Sequence, residues 1–344
     1  NPIGGQSALI KLRYGLGAEQ LKISGAPKFI KFALGENVKQ SNWGSAEKVR
    51  YPQTRMGVEQ VFYDHFYRAQ EYKAQQSEAD SMNTGVRTWP VVRNIVGFEE
   101  QKVKPNYELE ILAEILDKQR FITCHSYKQS EINMLMHVAD SMGFRVNTFT
   151  HILEGYKVAD KMKRHGVAGS TFSDWWAYKY EVKDAIPYNA AIMAAQGVLV
   201  GINSDDAEMG RRLNQEAAKA VKYGGVEEHE ALKMVTANPA KILHLYDRVG
   251  SIEPGKDADL VLWTDHPLSV YAKAQTVWIE GAPYFCLEEN EKLTEEMKIE
   301  RNRLIHKMLQ AIEDGAETQE FKFHKHKHMH CDTLLDDYLN TNEQ

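Results

Sequence analysis

The sequence predicts an α/β protein of the (β/α)8 barrel type, with a small β-sandwich appendage and a C-terminal helix. Apolar stretches of strand length alternate with amphipathic stretches of helix length, and several of the strand-like stretches end in polar residues. After residue 246 this alternation gives way to turn-rich β sequence and then to a charged helical stretch. Alternating strands and helices imply parallel pairing with right-handed crossovers. We expect the first barrel strands to be missing, so that the chain enters at strand 3 or 4.

The N-terminal third carries two predicted strands and two predicted helices. Glycines supply turns around the first strand, a polar stretch over 37–53 predicts a long surface loop, and residues 77–104 give no clear prediction. The second helix is indicated by leucines at helical spacing and by a proline near its start. The strands are predicted over 7–13 and 28–34, and the helices over 56–76 and 105–120.

A regular alternation follows in the middle of the chain. Strands are predicted over 120–125, 144–151, 167–172 and 198–202, and helices over 129–142, 154–163, 188–196, 208–223 and 227–235. With the two early strands, at least six β/α steps are visible, which favours the (β/α)8 barrel over a doubly wound sheet. We place the barrel domain at 1–246.

The remaining sequence predicts a small β unit and a helix. Residues 247–286 form the C-terminal part of a small β domain, with strands at the end of 249–263 and over 276–280. Residues 287–344 comprise a charged helix over 288–314 and a histidine-rich tail. The sparse apolar stripe of the helix predicts packing on the domain surface, with partner binding as the alternative.

Composition limits the classes of function. Lys and Arg total 42 against 48 for Asp and Glu, a net charge of −6, which argues against a nucleic-acid partner. No apolar run approaches the roughly 20 residues of a membrane span. Three cysteines without C-x-x-C spacing favour neither disulfides nor a thiolate zinc site. There is no targeting segment, and the chain does not begin with Met, so cytoplasmic and extracytoplasmic locations both stay open.

Three polar residues at predicted strand ends form the candidate site. His125 and His151 end two strands, and Asp205 follows a later one in the run GINSDD. In a barrel the carboxyl ends of the strands meet at one mouth, and two imidazoles with a carboxylate suit zinc or another divalent ion. Alone, each histidine is more often a hydrogen-bonded structural residue and Asp205 more often a helix cap. Their shared placement favours the metal site and leaves Asp206 as the cap.

Several motifs resemble the amidohydrolase superfamily, closest to its imidazolonepropionase-like and Xaa-Pro-dipeptidase-like branch. They are HSYKQSE, HILEGYKVAD, FSDWWAYK, GINSDD, ANPAKIL and VGSIEPGKDADLVLW, and the resemblance covers about residues 1–285. It implies that His125 and His151 are metal ligands after strands 5 and 6, and that Asp205 is the strand 8 aspartate that binds metal and shuttles protons. It also implies a strand 4 ligand, either Lys31 as a carboxylated bridge or Glu36.

The same resemblance implies an activity. The protein would be a metal-dependent hydrolase that cleaves a C–N bond of a small amide, cyclic amide or dipeptide by metal-bound hydroxide, with one or two zinc or other divalent ions. Trp175, Trp176 and Tyr178 are candidates for the substrate pocket, with rim packing as the alternative. The pair Arg211 and Arg212 suits a substrate carboxylate, although an exposed helical pair is the more ordinary interpretation.

One departure from the family pattern supports a rival hypothesis. The family begins with an H-x-H motif, and the thirteen histidines of this chain include no such pair outside 324–330. We therefore expect an upstream segment or a second chain to complete the barrel. The rival is a catalytically degenerate barrel that serves as a scaffold or binding subunit. The tail histidines predict a solvated tail, with metal storage or transfer as a third possibility.

Overall fold

The computed structural model describes residues 1–39, 50–88, 102–174 and 180–319, without the side chains of 85–88 and 207. Within these ranges the strands form a six-stranded sheet and a separate three-stranded sheet. The larger sheet has the order β1-β2-β3-β4-β5-β6, in which β1 pairs antiparallel with β2 and all later pairs are parallel. Its strands are β1 Ile3–Ser7, β2 Lys28–Ala33, β3 Arg120–His125, β4 Thr148–Thr150, β5 Ala168–Thr171 and β6 Val200–Ile202.

Helices connect the parallel strands. Short 3₁₀ turns at Gly155–Lys157 and Tyr180–Val182 precede two of them. The helices of this part are α1 Ala18–Leu21, α2 Glu36–Lys39, α3 Arg55–Thr88, α4 Tyr107–Leu116, α5 Gln129–Met142, α6 Ala159–His165, α7 Asn189–Ala195, α8 Ala207–Gly210, α9 Leu213–Gly224, α10 Glu228–Lys233 and α11 Ala237–Ile242. Each crossover through a helix returns the chain beside the preceding strand, which makes parallel pairing the natural outcome.

The main core lies between the sheet and the helices on one of its faces. Side chains alternate along a strand, so Ile30 and Phe32 of β2 point to the helices, where both are buried. Phe32 packs against Phe62 of α3, with 5.3 Å between the ring centroids. Phe66 stacks on Phe144, with 3.9 Å between the ring centroids. The buried apolar residues of α3, which include Val58, Phe62, Phe66 and Ala69, recur at helical spacing and cover the sheet.

The opposite face of the sheet, which we call the open face, carries the polar residues. Thr123 and His125 of β3 lie on this face because Ile122 and Cys124 point into the core. Its amino end is covered by the segment after α11, where the His244 ring stacks on Phe121 at 3.9 Å between centroids. The Asn147 side chain reinforces this cover by donating to the Ile242 carbonyl oxygen at 2.9 Å. The carboxyl ends of the strands are thereby the end left for chemistry.

For this part of the chain, the predicted α/β class is confirmed, but the predicted closed barrel is not. The parallel α/β arrangement is present, whereas β1 and β6 are the two edges of an open sheet within the described ranges. The strand predicted over 7–13 is wrong, since the strand is Ile3–Ser7 and only an isolated bridge joins Ile10 to Lys22. Gly4 explains the shift, because a Cβ there would lie 2.6 Å from the Lys31 carbonyl oxygen and only glycine permits this approach.

The second sheet is antiparallel, in the order β7-β8-β9. Its strands are β7 Leu260–Trp263, β8 Ala274–Ile279 and β9 Ala282–Cys286, and helix α12 Leu287–Glu313 follows directly. In the small β unit, the described residues form a single sheet, so the β-sandwich stays a prediction. The domain boundaries also stay predictions. Helix α12 contacts β8 and β9 and none of its residues is buried, so its packing on the domain surface stays a prediction.

Among the helices in the described ranges, none combines the length and the apolar character that a bilayer crossing requires.

Candidate functional site

Two histidines meet at the carboxyl end of the parallel sheet. His125 ends β3 and His151 directly follows β4, and the register pairs His125 with Thr150 of the neighbouring strand. Their ring centroids are 5.2 Å apart with planes at 64°. His125 is buried and His151 is half-buried. Two imidazoles at this separation can act on one ion or one substrate.

His151 is held in an unusual backbone conformation by its neighbours. Its φ is +59°, in the left-handed region that residues other than glycine rarely adopt. The Asn203 side-chain nitrogen lies 2.7 Å from His151 Nδ1, and the Ser170 hydroxyl donates to Asn203 Oδ1 at 2.6 Å. The His151 ring also packs against Phe172, with 4.8 Å between the two ring centroids. Strained conformations persist where surrounding contacts determine them, and such positions cluster at functional sites.

His125 is fixed from two sides. Asn37 Nδ2 lies 3.2 Å from His125 Nε2, and the Tyr127 ring meets the imidazole edge-on at 4.6 Å between centroids. Asn37 belongs to α2, at the carboxyl end of β2. Three neighbouring strands thus contribute to one cluster: β2 through Asn37, β3 through His125 and β4 through His151.

Two buried carboxylates clamp the turn that precedes Asn37. Glu131 Oε1 accepts from the Gly35 amide at 3.1 Å, and Glu181 Oε1 accepts from the Glu36 amide at 3.1 Å. Gly35 has φ +83°, and a Cβ on it would lie 2.6 Å from Glu181 Oε1, so the clamp requires glycine. Arg55 Nε lies 3.0 Å from Glu131 Oε1.

The environment of Glu131 changes its acidity. Burial raises the pKa of Glu131 from 4.5 to about 7, against the lowering effect of Arg55 and with a further rise from the charge of Glu181. Its second oxygen, Oε2, is buried and has no hydrogen-bond partner among the described residues. Glu131 is therefore a carboxyl group that holds its proton more tightly than usual, at the turn that precedes Asn37.

The two candidates for the strand 4 ligand lie in different surroundings. Lys31 is exposed on the open face of β2 and is level with Thr123, one pleat before the pair formed by Ala33 and His125. Glu36 stands at the carboxyl end of β2, where Lys39 Nζ lies 2.8 Å and Arg55 3.3 Å from its Oε1. The carboxylate of Glu36 is thus already engaged by two cations.

Asp205 and Asp206 take different places after β6. Asp206 caps α8, because its Oδ1 accepts from the amides of Glu208 at 2.8 Å and Met209 at 2.9 Å, which confirms the cap prediction. Asp205 is exposed. Arg211 and Arg212 both pair with Glu208, as expected of an exposed helical pair.

The described residues supply part of a donor set for the divalent ion that the sequence implies. His125 and His151 supply two nitrogen donors that fit such an ion. Within the described ranges, however, no group of three His, Cys, Asp or Glu residues has a geometry that would hold a metal. The structure thus brings the histidines together without adding Asp205 to a three-residue set. Trp175, Trp176 and Tyr178, and the tail histidines, lie outside the described residues.

The sequence did not point to Asn37, Asn203 or Ser170. Asn203 carried the better signal, since it stands in GINSDD between the end of β6 and Asp205. A polar residue at that place reaches the same end of the sheet as the histidines. Asn37 offered no such signal, because it lay within a stretch that sequence alone predicts as loop.

Comparison with known proteins gives consistent matches. A model of the amidohydrolase family matches residues 110–301. Amidohydrolase tasK of Hapsidospora irregularis is 28% identical over 299 residues, which are 83% of this chain and 29% of that protein. Imidazolonepropionase of Thermoplasma volcanium is 30% identical over 135 residues, 39% of this chain and 33% of the relative. The chain therefore spans about a third of the length of these two relatives.

A solved structure extends the likeness to the fold. The crystal structure of an amidohydrolase from Thermotoga maritima superposes with a TM-score of 0.71 at 30% sequence identity. The match covers 83% of this chain and 69% of that chain. Likeness in sequence and in fold thus extends over most of the described residues.

Proposed function

Because this chain belongs to the amidohydrolase family, we propose that it forms part of a metal-dependent hydrolase that cleaves a C–N bond of a small amide, cyclic amide or dipeptide. The observation that carries this proposal is that His125 and His151 meet at the carboxyl ends of adjacent parallel strands, with 5.2 Å between their ring centroids. Carboxyl ends of strands are where α/β proteins place their chemistry. The names of two relatives, an amidohydrolase and an imidazolonepropionase, support the same class of bond.

The residues of this chain would divide the work of the site. His125 and His151 would hold one or two divalent ions such as zinc, with Asp205 from the end of β6 and Lys31 or Glu36 from β2 as further ligands. A bound divalent ion supplies Lewis-acid chemistry, which acidifies water and polarises a carbonyl. Asn37 and Asn203 would orient the two imidazoles, since ligand histidines depend on hydrogen bonds to their second nitrogen.

Asp205 would act in proton transfer. Its exposed carboxylate can receive a proton from the attacking water and pass it to the leaving nitrogen. Substrate would approach from the carboxyl end of the sheet, because the amino end is covered by the segment around His244. Trp175, Trp176 and Tyr178 stay candidates for the substrate pocket.

Replacing Asp205 tests the proposal directly. Asp205→Asn keeps the shape of the side chain but removes its basicity, so we expect turnover of amide, cyclic amide and dipeptide substrates to fall at least about a hundredfold. Asp206→Asn is the matched control, because asparagine also caps helices and the helix should stay intact. The measurement is hydrolysis by the complete protein loaded with zinc. Equal turnover by the native protein and the Asp205→Asn variant would refute the role.

A scaffold or binding subunit is the second candidate function. It is favoured by the absence of a three-residue metal group from the described ranges and by the missing H-x-H outside 324–330. Zinc titration of the complete protein separates the two candidates. A hydrolase should bind zinc with an affinity that His125→Ala weakens, whereas a scaffold should show no binding that depends on His125. Zinc that is lost only when 321–344 is removed would indicate a role in metal storage.

A further inference from the structure

Helix α12 exposes a sparse apolar stripe. Its 27 residues make it about 40 Å long, and within the described ranges it packs against β8 and β9 of the small sheet. Five apolar side chains along one side of the helix are each 44% to 64% exposed: Leu293, Met297, Leu304, Met308 and Ile312. An apolar stripe of this kind on an otherwise charged helix is typical of an interaction surface.

The charges on α12 divide the helix into two halves of opposite sign. Over 288–300 there are six glutamates and two lysines, whereas 301–312 carries Arg301, Arg303 and Lys307 and no acidic residue. A second copy in the antiparallel direction would place each acidic half beside a basic half. A parallel copy would instead place the two acidic halves together, which like-charge repulsion disfavours.

We propose that α12 pairs antiparallel with α12 of a second copy of this chain, about a two-fold axis between residues 300 and 301. In this register Leu293 of one copy lies opposite Met308 of the other, and Met297 lies opposite Leu304. Glu300 of each copy meets Arg301 of the other. Both apolar pairs and both ion pairs come from the same register, as a self-complementary two-fold interface requires.

Charge reversal at the axis tests the pairing. In the full-length chain, Glu300→Arg places arginine opposite arginine twice and should raise the dimer dissociation constant about tenfold in sedimentation experiments. The double variant Glu300→Arg with Arg301→Glu restores opposite charges and should recover dimerisation. Glu295→Arg is the matched control: Glu295 and Glu300 each pair with a cation three residues on, but Glu295 lies about 140° around the helix.

Cysteine cross-linking tests the direction and the register. In a chain carrying Cys286→Ser and Cys331→Ser, the pair Met297→Cys with Leu304→Cys should form intermolecular disulfides on mild oxidation. The two positions are seven residues apart in one helix, about 10 Å, which is too far for a bond within one chain. Met297→Cys alone should not cross-link, because it faces itself only in a parallel pair.

The outcomes are decisive in both directions. Dimers that weaken with Glu300→Arg, recover in the double variant and cross-link through the cysteine pair support the interface. A chain that stays monomeric up to about 0.1 mM overturns it. So does cross-linking by Met297→Cys alone, or a dimer with unchanged affinity in Glu300→Arg.

Discussion

Asn203 ties a candidate metal ligand to the sheet. Its side-chain amide contacts His151 Nδ1 at 2.7 Å on one side and the Ser170 hydroxyl at 2.6 Å on the other. The oxygen and nitrogen of an amide can exchange places by rotation, so the same residue can accept from or donate to His151. Nδ1 is engaged in either orientation, so the rotation decides whether His151 Nε2 carries the proton or offers its lone pair to an ion.

We expect Asn203→Ala to weaken zinc binding about tenfold or more, because loss of the partner of a ligand histidine has effects of this size. The measurement is competition for zinc with a chromophoric chelator. Asn238→Ala is the control, since Asn238 also donates at β6, to the Val200 carbonyl at 2.8 Å, but is not among the contacts of the histidine pair. Equal weakening by both variants would assign Asn203 a purely structural role.

At this scale the sequence predicted the histidines but not their partners. His125 and His151 were recognisable because each ends an apolar strand, and strand ends of a parallel sheet converge. The contacts of Asn37 and Asn203 depend on local backbone geometry, such as φ +59° at His151 and φ +83° at Gly35. Hydrophobic periodicity carries no information on such geometry, so these partners required the structure.

At the scale of elements, the turn after β2 depends on two carboxylates from distant parts of the chain, Glu131 of α5 and Glu181. Because Glu131 has its pKa raised to about 7, the folded protein binds this proton more tightly than the unfolded chain, whose group titrates near 4.5. The stabilisation linked to this proton is fully present below pH 4.5 and is lost as the pH rises through 7.

In the native protein, the free energy of unfolding should therefore fall by about 3 kcal/mol between pH 4.5 and 7 because of this group. We expect the Glu131→Gln variant to lack this fall. Urea unfolding across this range measures the slope. Glu114→Gln should have the opposite effect on the pH dependence of the free energy of unfolding. Burial acts to raise the pKa of Glu114, but hydrogen bonds from Lys28 and Arg120 lower it overall, so its contribution is lost on acidification. A wild-type slope retained in Glu131→Gln would contradict the prediction.

The accuracy of the predicted elements varied for physical reasons. Helix α5 begins and ends at the predicted residues, since its buried side chains repeat at helical spacing and Gly143 ends it in the left-handed conformation. The strand predicted over 144–151 shrinks to Thr148–Thr150. Phe144 and Val146 are buried, but they lie in the connection that precedes β4. Their apolar character therefore predicted a longer strand than the one that forms.

At the scale of the whole molecule, Lys11 joins the N-terminal segment to the small sheet. Its buried ammonium lies 2.7 Å from Asp257, 3.0 Å from Asp259 and 3.2 Å from Glu280. Burial acts to lower the pKa of Lys11, but hydrogen bonds to the three carboxylates raise it overall. Two of these carboxylates come from the GKDADLV run, whose aspartates therefore have a structural role in this chain.

Lys11→Met should destabilise the protein by about 2 kcal/mol, because it removes the buried cation that three carboxylates share, although Glu280 keeps Arg13 and Asp257 keeps Arg248. Hydrogen exchange should rise across 247–286 more than in the six-stranded sheet. Lys22→Met is the control, since Lys22 is exposed and pairs with Glu19 on the same turn, and we expect less than about 0.5 kcal/mol. Unchanged exchange over 247–286 in Lys11→Met would show that other contacts hold the small sheet.

The Lys11 cluster also has a consequence for the order of folding. Strands of the large sheet are neighbours in sequence order, so each β/α unit can add to the edge left by the unit before it. The bond from Lys11 to Asp257 joins residues 246 positions apart and must close a far longer loop. We expect the sheet to form progressively from the N-terminal side during synthesis, and the small sheet to dock as the final step.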